Sequence, residues 1–375
     1  MRILFISDKL FTRHEREMIA RLAVGLADEG LTVAWAVPEK IAANLNNQVL
    51  LPVLPIAQNR LGLTPSRRAE TLLTKARDVL RDNPDVVHFF GGGVARIGAE
   101  VTRLAQAVPA FELWRPGLEP AIRVAINRVY GAGVAKADDA GRALIVTPND
   151  DARARATKAF PDALVRTIPW GVYPVSESPT RSVGTVCLLL LGPGRDSKAW
   201  QSAFRAAVCS AQTSKHVHIF ADAQTTRRLK LWAHASQAGV LDRLTLFDES
   251  ATRRDLMLHA DVLIQPDARG ELSTILLDAM AASVAVLASA DPQSVVLIDG
   301  KTARLVVDAT VQQWHEAIEM VINNDAARRK LTESAREYVR TEHKASRQIE
   351  SLVDAYEWVG GEAVRIESAP MFDAH

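Results

Sequence analysis

Ala260–Val306 reads ADVLIQPDARGELSTILLDAMAASVAVLASADPQSVVLIDGKTARLV, and its order of apolar runs and breaks decides the fold. An apolar run, Val262–Ile264, stops at the Pro266/Asp267 break. A short loop carrying Glu271 follows, then an apolar-periodic segment containing Asp278, then a second buried-looking run from Val284 to Ala288. The pattern predicts strand, loop, helix, strand, with acidic residues where a helix begins. Such a place, at the carboxyl edge of a parallel sheet, suits a hydroxylated or phosphorylated ligand.

Outward from this stretch, short apolar runs alternate with longer helical ones, the signature of βαβ units. In the first half the runs are Ile3–Ile6, Val33–Val37, Val86–Phe90, Ala110–Trp114, Leu144–Val146 and Val165–Pro169. A helix over Glu15–Asp28 ends at Gly30, and Ser7–His14 before it reads as a loop. A Pro/Ser-rich linker, Pro174–Ser182, separates these from Val186–Leu191, Val217–Phe220, Leu244–Phe247, Val262–Ile264 and Val284–Leu287. Gln312–Val339 reads as two further helices and Ser346–Val359 as a last one. The expected organisation is an α/β chain of two Rossmann-like domains, 1–178 and 183–345, facing across a cleft. A helix over 346–360 would return to the first domain, with 361–375 as a loose tail.

The chain has 375 residues, 48% hydrophobic and 24% charged, which is a globular composition long enough for two cores. A net charge of +1 gives no global attraction to nucleic acid. The two cysteines, Cys187 and Cys209, fall in a strand-like and a helical run, as buried small hydrophobes rather than a bridge or metal pair. The amino-terminal apolar stretch is too short for a signal peptide, and no run reaches the length of a membrane span. The expected location is cytoplasmic. Peripheral contact with the inner membrane face would use Arg67, Arg68, Lys75, Arg77 and Arg81, or Arg123 and Arg128, which read more simply as solvated helix faces.

Several pieces, in order, resemble the group 1 (family 4) retaining glycosyltransferases of the GT-B fold. They are Ala260-Asp261, Gln265-Pro266, Asp278-Ala279-Met280-Ala281-Ala282 and the Asp299-Gly300-Lys301-Thr302 turn. Ile168-Pro169-Trp170-Gly171-Val172, Pro84–His88, Arg228–Phe247 and Asn323–Val339 extend the resemblance over most of the chain. The resemblance implies a retaining, metal-independent transfer of a hexosyl-type sugar from a nucleotide-sugar donor to a saccharide or glycoconjugate hydroxyl. Basic side chains and a helix N-terminus would take the phosphate charge, so no cofactor is expected.

The resemblance also assigns residues. Lys198 lines up with the family's phosphate lysine, and Arg195 lies near the family arginine position, which is Pro193 here. Gly270 stands where the family has its first glutamate, with Glu271 one position late. Asp278 replaces the second glutamate, which holds the ribose hydroxyls. Being one methylene shorter, it needs a shifted ligand or a bridging water. Leu272 and Ser273 replace a Phe-Gly pair, while Ser273 and Thr274 offer hydroxyls and N–H groups at the helix start. In the first domain His88 ends a strand before Gly91 and Gly92, and Glu112-Leu113-Trp114-Arg115 resembles the family's Glu-x-Arg-Gly variant. The expected catalytic set is His88, Arg115 and Glu271. Donor binding falls to Arg195, Lys198, Ser273, Thr274 and Asp278, and the acceptor side to Gly91, Gly92 and Lys9. The departures at Pro193, Gly270, Leu272, Ser273 and Asp278 define the alternative, a GT-B protein that has stopped turning over and serves as a binding or scaffold partner.

Overall fold

The computed structural model describes residues 1–45, 49–57, 64–131, 143–175, 184–192, 194–248, 252–267, 270 and 272–367. The chain divides into two units: Met1–Trp170 with Ala345–His375, and Gly171–Lys344.

The first unit is a seven-stranded parallel sheet in the order β3-β2-β1-β4-β5-β6-β7. Its strands are β1 (Arg2–Ser7), β2 (Thr32–Pro38), β3 (Val53–Ile56), β4 (Val86–Phe90), β5 (Val108–Glu112), β6 (Leu144–Thr147) and β7 (Leu164–Thr167). The connecting helices are α1 (Lys9–Asp28), α2 (Glu39–Leu45), α3 (Pro65–Leu80), α4 (Ala95–Ala105), α5 (Glu119–Tyr130) and α6 (Asp150–Ala159). The unbroken apolar runs become central strands because both faces of a parallel sheet are covered: Ile3, Leu4, Phe5 and Ile6 are fully buried. β1 pairs with β2 and β4 (Ile3 with Val33 and with Val86), so the direction of strand addition reverses between β1 and β4. β3 had no sequence signal, being four residues long with a proline inside it.

Helix α1 has a first stretch from Lys9, capped by the Asp8 side chain accepting from Phe11 N–H, and kinks at Glu15 (φ −128°, ψ 21°), where the longer helix was expected to begin. The stretch expected as a loop is therefore mostly helix.

The second unit is a six-stranded parallel sheet, β10-β9-β8-β11-β12-β13. Its strands are β8 (Val186–Leu190), β9 (Val217–Asp222), β10 (Leu244–Phe247), β11 (Val262–Gln265), β12 (Ala285–Ser289) and β13 (Arg304–Val306). Its helices are α7 (Ser197–Thr213), α8 (Ala223–Arg228), α9 (Trp232–Gln237), α10 (Arg253–His259), α11 (Thr274–Ala281), α12 (Val311–Asn323) and α13 (Asp325–Glu342). Trp200 and Phe204 of α7 and Trp314 and Ile318 of α12 share one core cluster with Leu188, Ile219, Val262 and Leu287 of the strands. Here the order reverses between β8 and β11, which pair directly (Val262 with Leu188).

The last helix, α14 (Ala345–Glu367), belongs to the first unit and packs on α1. Residues 361–367, expected in a loose tail, are helical, and 368–375 lie outside the described residues, as does most of the expected linker. Both cysteines are free and half-buried rather than fully buried. Among the described residues no helix is long and apolar enough to cross a membrane.

Candidate functional site

In the second unit the loop from β8 to α7 and the end of β11 meet at the point where strand order reverses. Asp267 joins them. Its Oδ1 accepts from the backbone N–H of Arg195 (2.7 Å) and of Asp196 (2.9 Å), and its Oδ2 from that of Gly194 (2.9 Å) and from the Trp200 indole (2.8 Å). Three successive N–H groups facing one place form an anion-binding nest ahead of a helix N-terminus. Asp196 separately caps α7 through Ala199 N–H (3.0 Å). The Gly194 carbonyl accepts from Arg228. Lys198, in the first turn of α7, is exposed and makes no hydrogen bond or ion pair among the described residues, whereas Arg195 is half-buried and engaged. Pro193 lies outside the described residues.

At the start of α11 the Ser273 side chain caps the helix by accepting from Ile275 N–H (3.3 Å). Thr274 is fully buried, and its hydroxyl accepts from Arg253 Nη1 (2.7 Å), so it is turned to the protein. One turn on, Asp278 lies 3.4 Å from the same guanidinium, with 16% of its side chain exposed against 10% for Arg253. The carboxylate at the family's ribose position is thus already paired with a buried cation from α10. Gly270 has φ +66°, a left-handed backbone in which a glutamate would be strained, and a Cβ there would meet the end of the Gln293 side chain. Its N–H donates to Asp291 (2.6 Å). Glu271 lies outside the described residues.

In the first unit His88 is fully buried inside β4, not open at the strand's end. Its Nδ1 lies 2.6 Å from the Tyr356 hydroxyl on α14, its ring stacks on Phe90, and its Nε2 is 3.3 Å from Glu112 Oε2 without hydrogen-bond alignment. The other Glu112 oxygen accepts from the Trp170 indole at 2.6 Å. Burial, and then the Glu112 charge, push the Tyr356 hydroxyl well above its ordinary pKa of 10. These four residues form one buried network between β4, β5, α14 and the end of the unit.

The Gly91–Gly93 turn is closed by Asp8, whose Oδ2 accepts from Gly93 N–H at 3.1 Å. A Cβ on Gly91, at φ +106°, would fall 2.3 Å from that carboxylate. Gly91 and Gly92 also line a small pocket with Phe89, Phe111, Glu112 and Leu118. Arg115 is half-buried over the Trp114 ring (5.4 Å), and Lys9 is exposed on the first turn of α1.

The structure therefore gathers Arg195, Lys198, Ser273, Thr274 and Asp278 in one unit, and His88, Gly91, Gly92, Arg115 and Lys9 in the other. Asp267, Arg253 and Tyr356 had no assigned role in the sequence. The one available signal was an aspartate directly after the Pro266 break. Of the basic helix faces, Arg68 and Arg123 donate to the Ala57 and Ala159 carbonyls, Arg77 to Asn83 and Arg128 to Glu100, which leaves Arg67 and Lys75 exposed on α3 and Arg81 exposed just past its end.

The sequence profile of the family described as "Glycosyl transferases group 1" matches residues 202–338. No curated protein sequence matches the chain. Among solved structures, a glycosyltransferase from Rickettsia africae ESF-5 superposes with a TM-score of 0.68 at 13% identity, covering 96% of this chain and 98% of that one. HepE of Anabaena, solved in complex with UDP-glucose, gives 0.70 at 14% identity over 95% and 100% of the two chains. Sucrose-phosphate synthase from Thermosynechococcus elongatus gives 0.67 at 13%, over 96% and 100%. Both units thus have the fold of the two-domain GT-B glycosyltransferases, and the stretch similar to the group 1 glycosyltransferase profile lies within the second.

Proposed function

We propose that the chain transfers a hexosyl-type sugar from a nucleotide-sugar donor to a hydroxyl of a saccharide or glycoconjugate, with retention and without a metal. The observation that carries the reading is the placement of Lys198, Ser273 and Asp278 at the carboxyl edge of the very domain that the group 1 profile matches. Lys198 and the N–H groups at the start of α11 receive the donor diphosphate and take up its growing charge as the glycosidic bond breaks. Asp278, balanced by Arg253, holds the ribose hydroxyls, directly or through a water. The acceptor is received on the first unit at Gly91, Gly92, Arg115 and Lys9. His88 acts from within its buried network, by fixing the strand ends that carry these residues. The HepE complex makes a UDP-sugar the first donor to try.

The test is calorimetry with UDP, GDP and ADP and their sugars. Lys198→Ala and Asp278→Ala each weaken binding, the lysine by the order of 1.5–3 kcal/mol expected of a charged hydrogen bond. No binding of any nucleotide sugar at millimolar concentration would sink the enzyme reading and leave the scaffold alternative. Retention is read from the anomeric configuration of the product by NMR, and metal independence from unchanged turnover in EDTA.

A further inference from the structure

We infer that Asp267 is a positioning residue of this donor site: its carboxylate stands in for a bound anion in the amide nest ahead of α7. The nest presents four donors, the N–H groups of Gly194, Arg195 and Asp196 and the Trp200 indole, at 2.7–2.9 Å from one carboxylate. An ionised carboxylate is the one side-chain group that meets four donors as acceptor only. An amide would turn its own NH2 toward two of them, and a hydroxyl is too short to reach them all. Trp200 is fully buried, so its indole finds no substitute in solvent.

Both ends of the contact are fixed. On the β11 side, Ser289 Oγ donates to the Pro266 carbonyl at 2.7 Å, and Gln265, 5% exposed, lies against Gly192. On the α7 side, Arg228 takes the Gly194 carbonyl. The loop that carries Lys198 is thereby locked to the strand that leads into α11, with its N–H groups and its carbonyl satisfied by the protein itself.

The consequence rests on the donor reading. A diphosphate does not enter this nest; it is met by Lys198 and the start of α11, and Asp267 sets where Lys198 stands. The lock itself is tested without any nucleotide.

In the full-length protein, Asp267→Ser vacates the nest. Expected is a lower Tm in phosphate-free buffer that inorganic phosphate restores. Wild type and Asp267→Asn, whose side chains still fill the nest, show only the general salt response. A Tm equal to wild type, or a phosphate response no larger than wild type's, overturns the inference, because a merely structural aspartate is not rescued by a free anion. Should the serine variant not fold, amide NMR of Asp267→Asn decides. One pair of signals, either the Gly194 amide with the Trp200 indole or the Arg195 and Asp196 amides, is expected to shift and exchange faster while the other pair keeps an acceptor; four unchanged signals overturn it.

With a nucleotide sugar that wild type binds, Asp267→Asn weakens binding as much as Lys198→Ala does, roughly ten- to hundredfold, and Lys198→Ala costs nothing more in that background. Full additivity of the two substitutions would refute the positioning role. Failure of wild type to bind any donor would refute the donor reading alone and leave the phosphate result standing.

Discussion

The two units solve the same problem at their reversal points with bridges of opposite direction. In each sheet the crevice between the first strand and its neighbour across the reversal is where open α/β proteins bind ligands. In the first unit the carboxylate comes from the first-strand side, Asp8 after β1, and reaches Gly93 after β4. In the second it comes from the neighbour, Asp267 after β11, and reaches back to the loop after β8. Asp8 divides itself between Gly93 and the cap of its own helix at Phe11. Asp267 leaves capping to Asp196 and gives all its lone pairs to the loop and the indole. The fold dictates the crevice but not which strand supplies the bridge. A bridge with four donors, one of them a buried indole, is the stiffer of the two.

That difference is open to measurement. Asp267→Ala strands a buried indole and three amides, and is expected to cost about 3–4 kcal/mol in urea unfolding. Asp8→Ala exposes one capped N–H and one turn N–H to water and is expected to cost about 1–2 kcal/mol. Equal losses would mean that the bridges are alike and that the number of donors does not matter.

How much of this was legible follows from the range of the contacts. The central strands were readable because their apolar runs are buried on both faces, and the frame from Ala260 to Val306 because Pro266, Asp278 and Gly300 punctuate it locally. The missed strands β3 and β13 are four and three residues long, too short to show a period. The site's chemistry was less legible because its partners are far apart in sequence. Asp267 meets residues 67–73 positions away, Arg253 reaches Asp278 across 25, and Tyr356 covers His88 across 268. Sequence reading placed His88 at a strand end and left its exposure open; a helix from the far end of the chain closed that question. The glycine at 270 was visible, but the reason it stays, a positive φ, was not.

A second pair of substitutions sharpens the comparison. A Cβ on Gly91 would lie 2.3 Å from the Asp8 carboxylate, whereas one on Gly192 would lie 2.3 Å from Gln265 Oε1 and 3.1 Å from Asp267 Oδ2. Each alanine is expected to destabilise by about 1–3 kcal/mol through overpacking and positive-φ strain. The backgrounds differ. Asp8→Ala removes the obstacle at Gly91, so a double-mutant cycle there should show about 1 kcal/mol of relief. Asp267→Ser leaves Gln265 in place, so the Gly192 cycle should be nearly additive. Relief at both glycines would show that the second loop rests on its carboxylate alone.

The smallest expected effect is an alkaline one, and it separates the units by pH. In the second unit, burial and then the charge of Asp261 push the Cys187 thiol from 9.0 up to about 11. In the first, burial and then Glu112 raise Tyr356 well above 10. Both groups are held neutral by the fold, so each contributes stability that is complete below its unfolded pKa and drains away as pH rises toward the folded one. The thiol's contribution starts to fall above pH 9 and the phenol's only above pH 10. Cys187→Ala should therefore flatten the first part of the alkaline decline in urea stability and Tyr356→Phe the later part. The phenylalanine variant carries an additional pH-independent loss of about 1 kcal/mol, because His88 Nδ1 loses its partner. The thiol's part is modest, since Cys187 is only half-buried and solvent screens its ionised form. An alkaline decline that survives unchanged in both variants would place the titrating groups elsewhere and remove the buried network's claim to hold α14 through a neutral Tyr356.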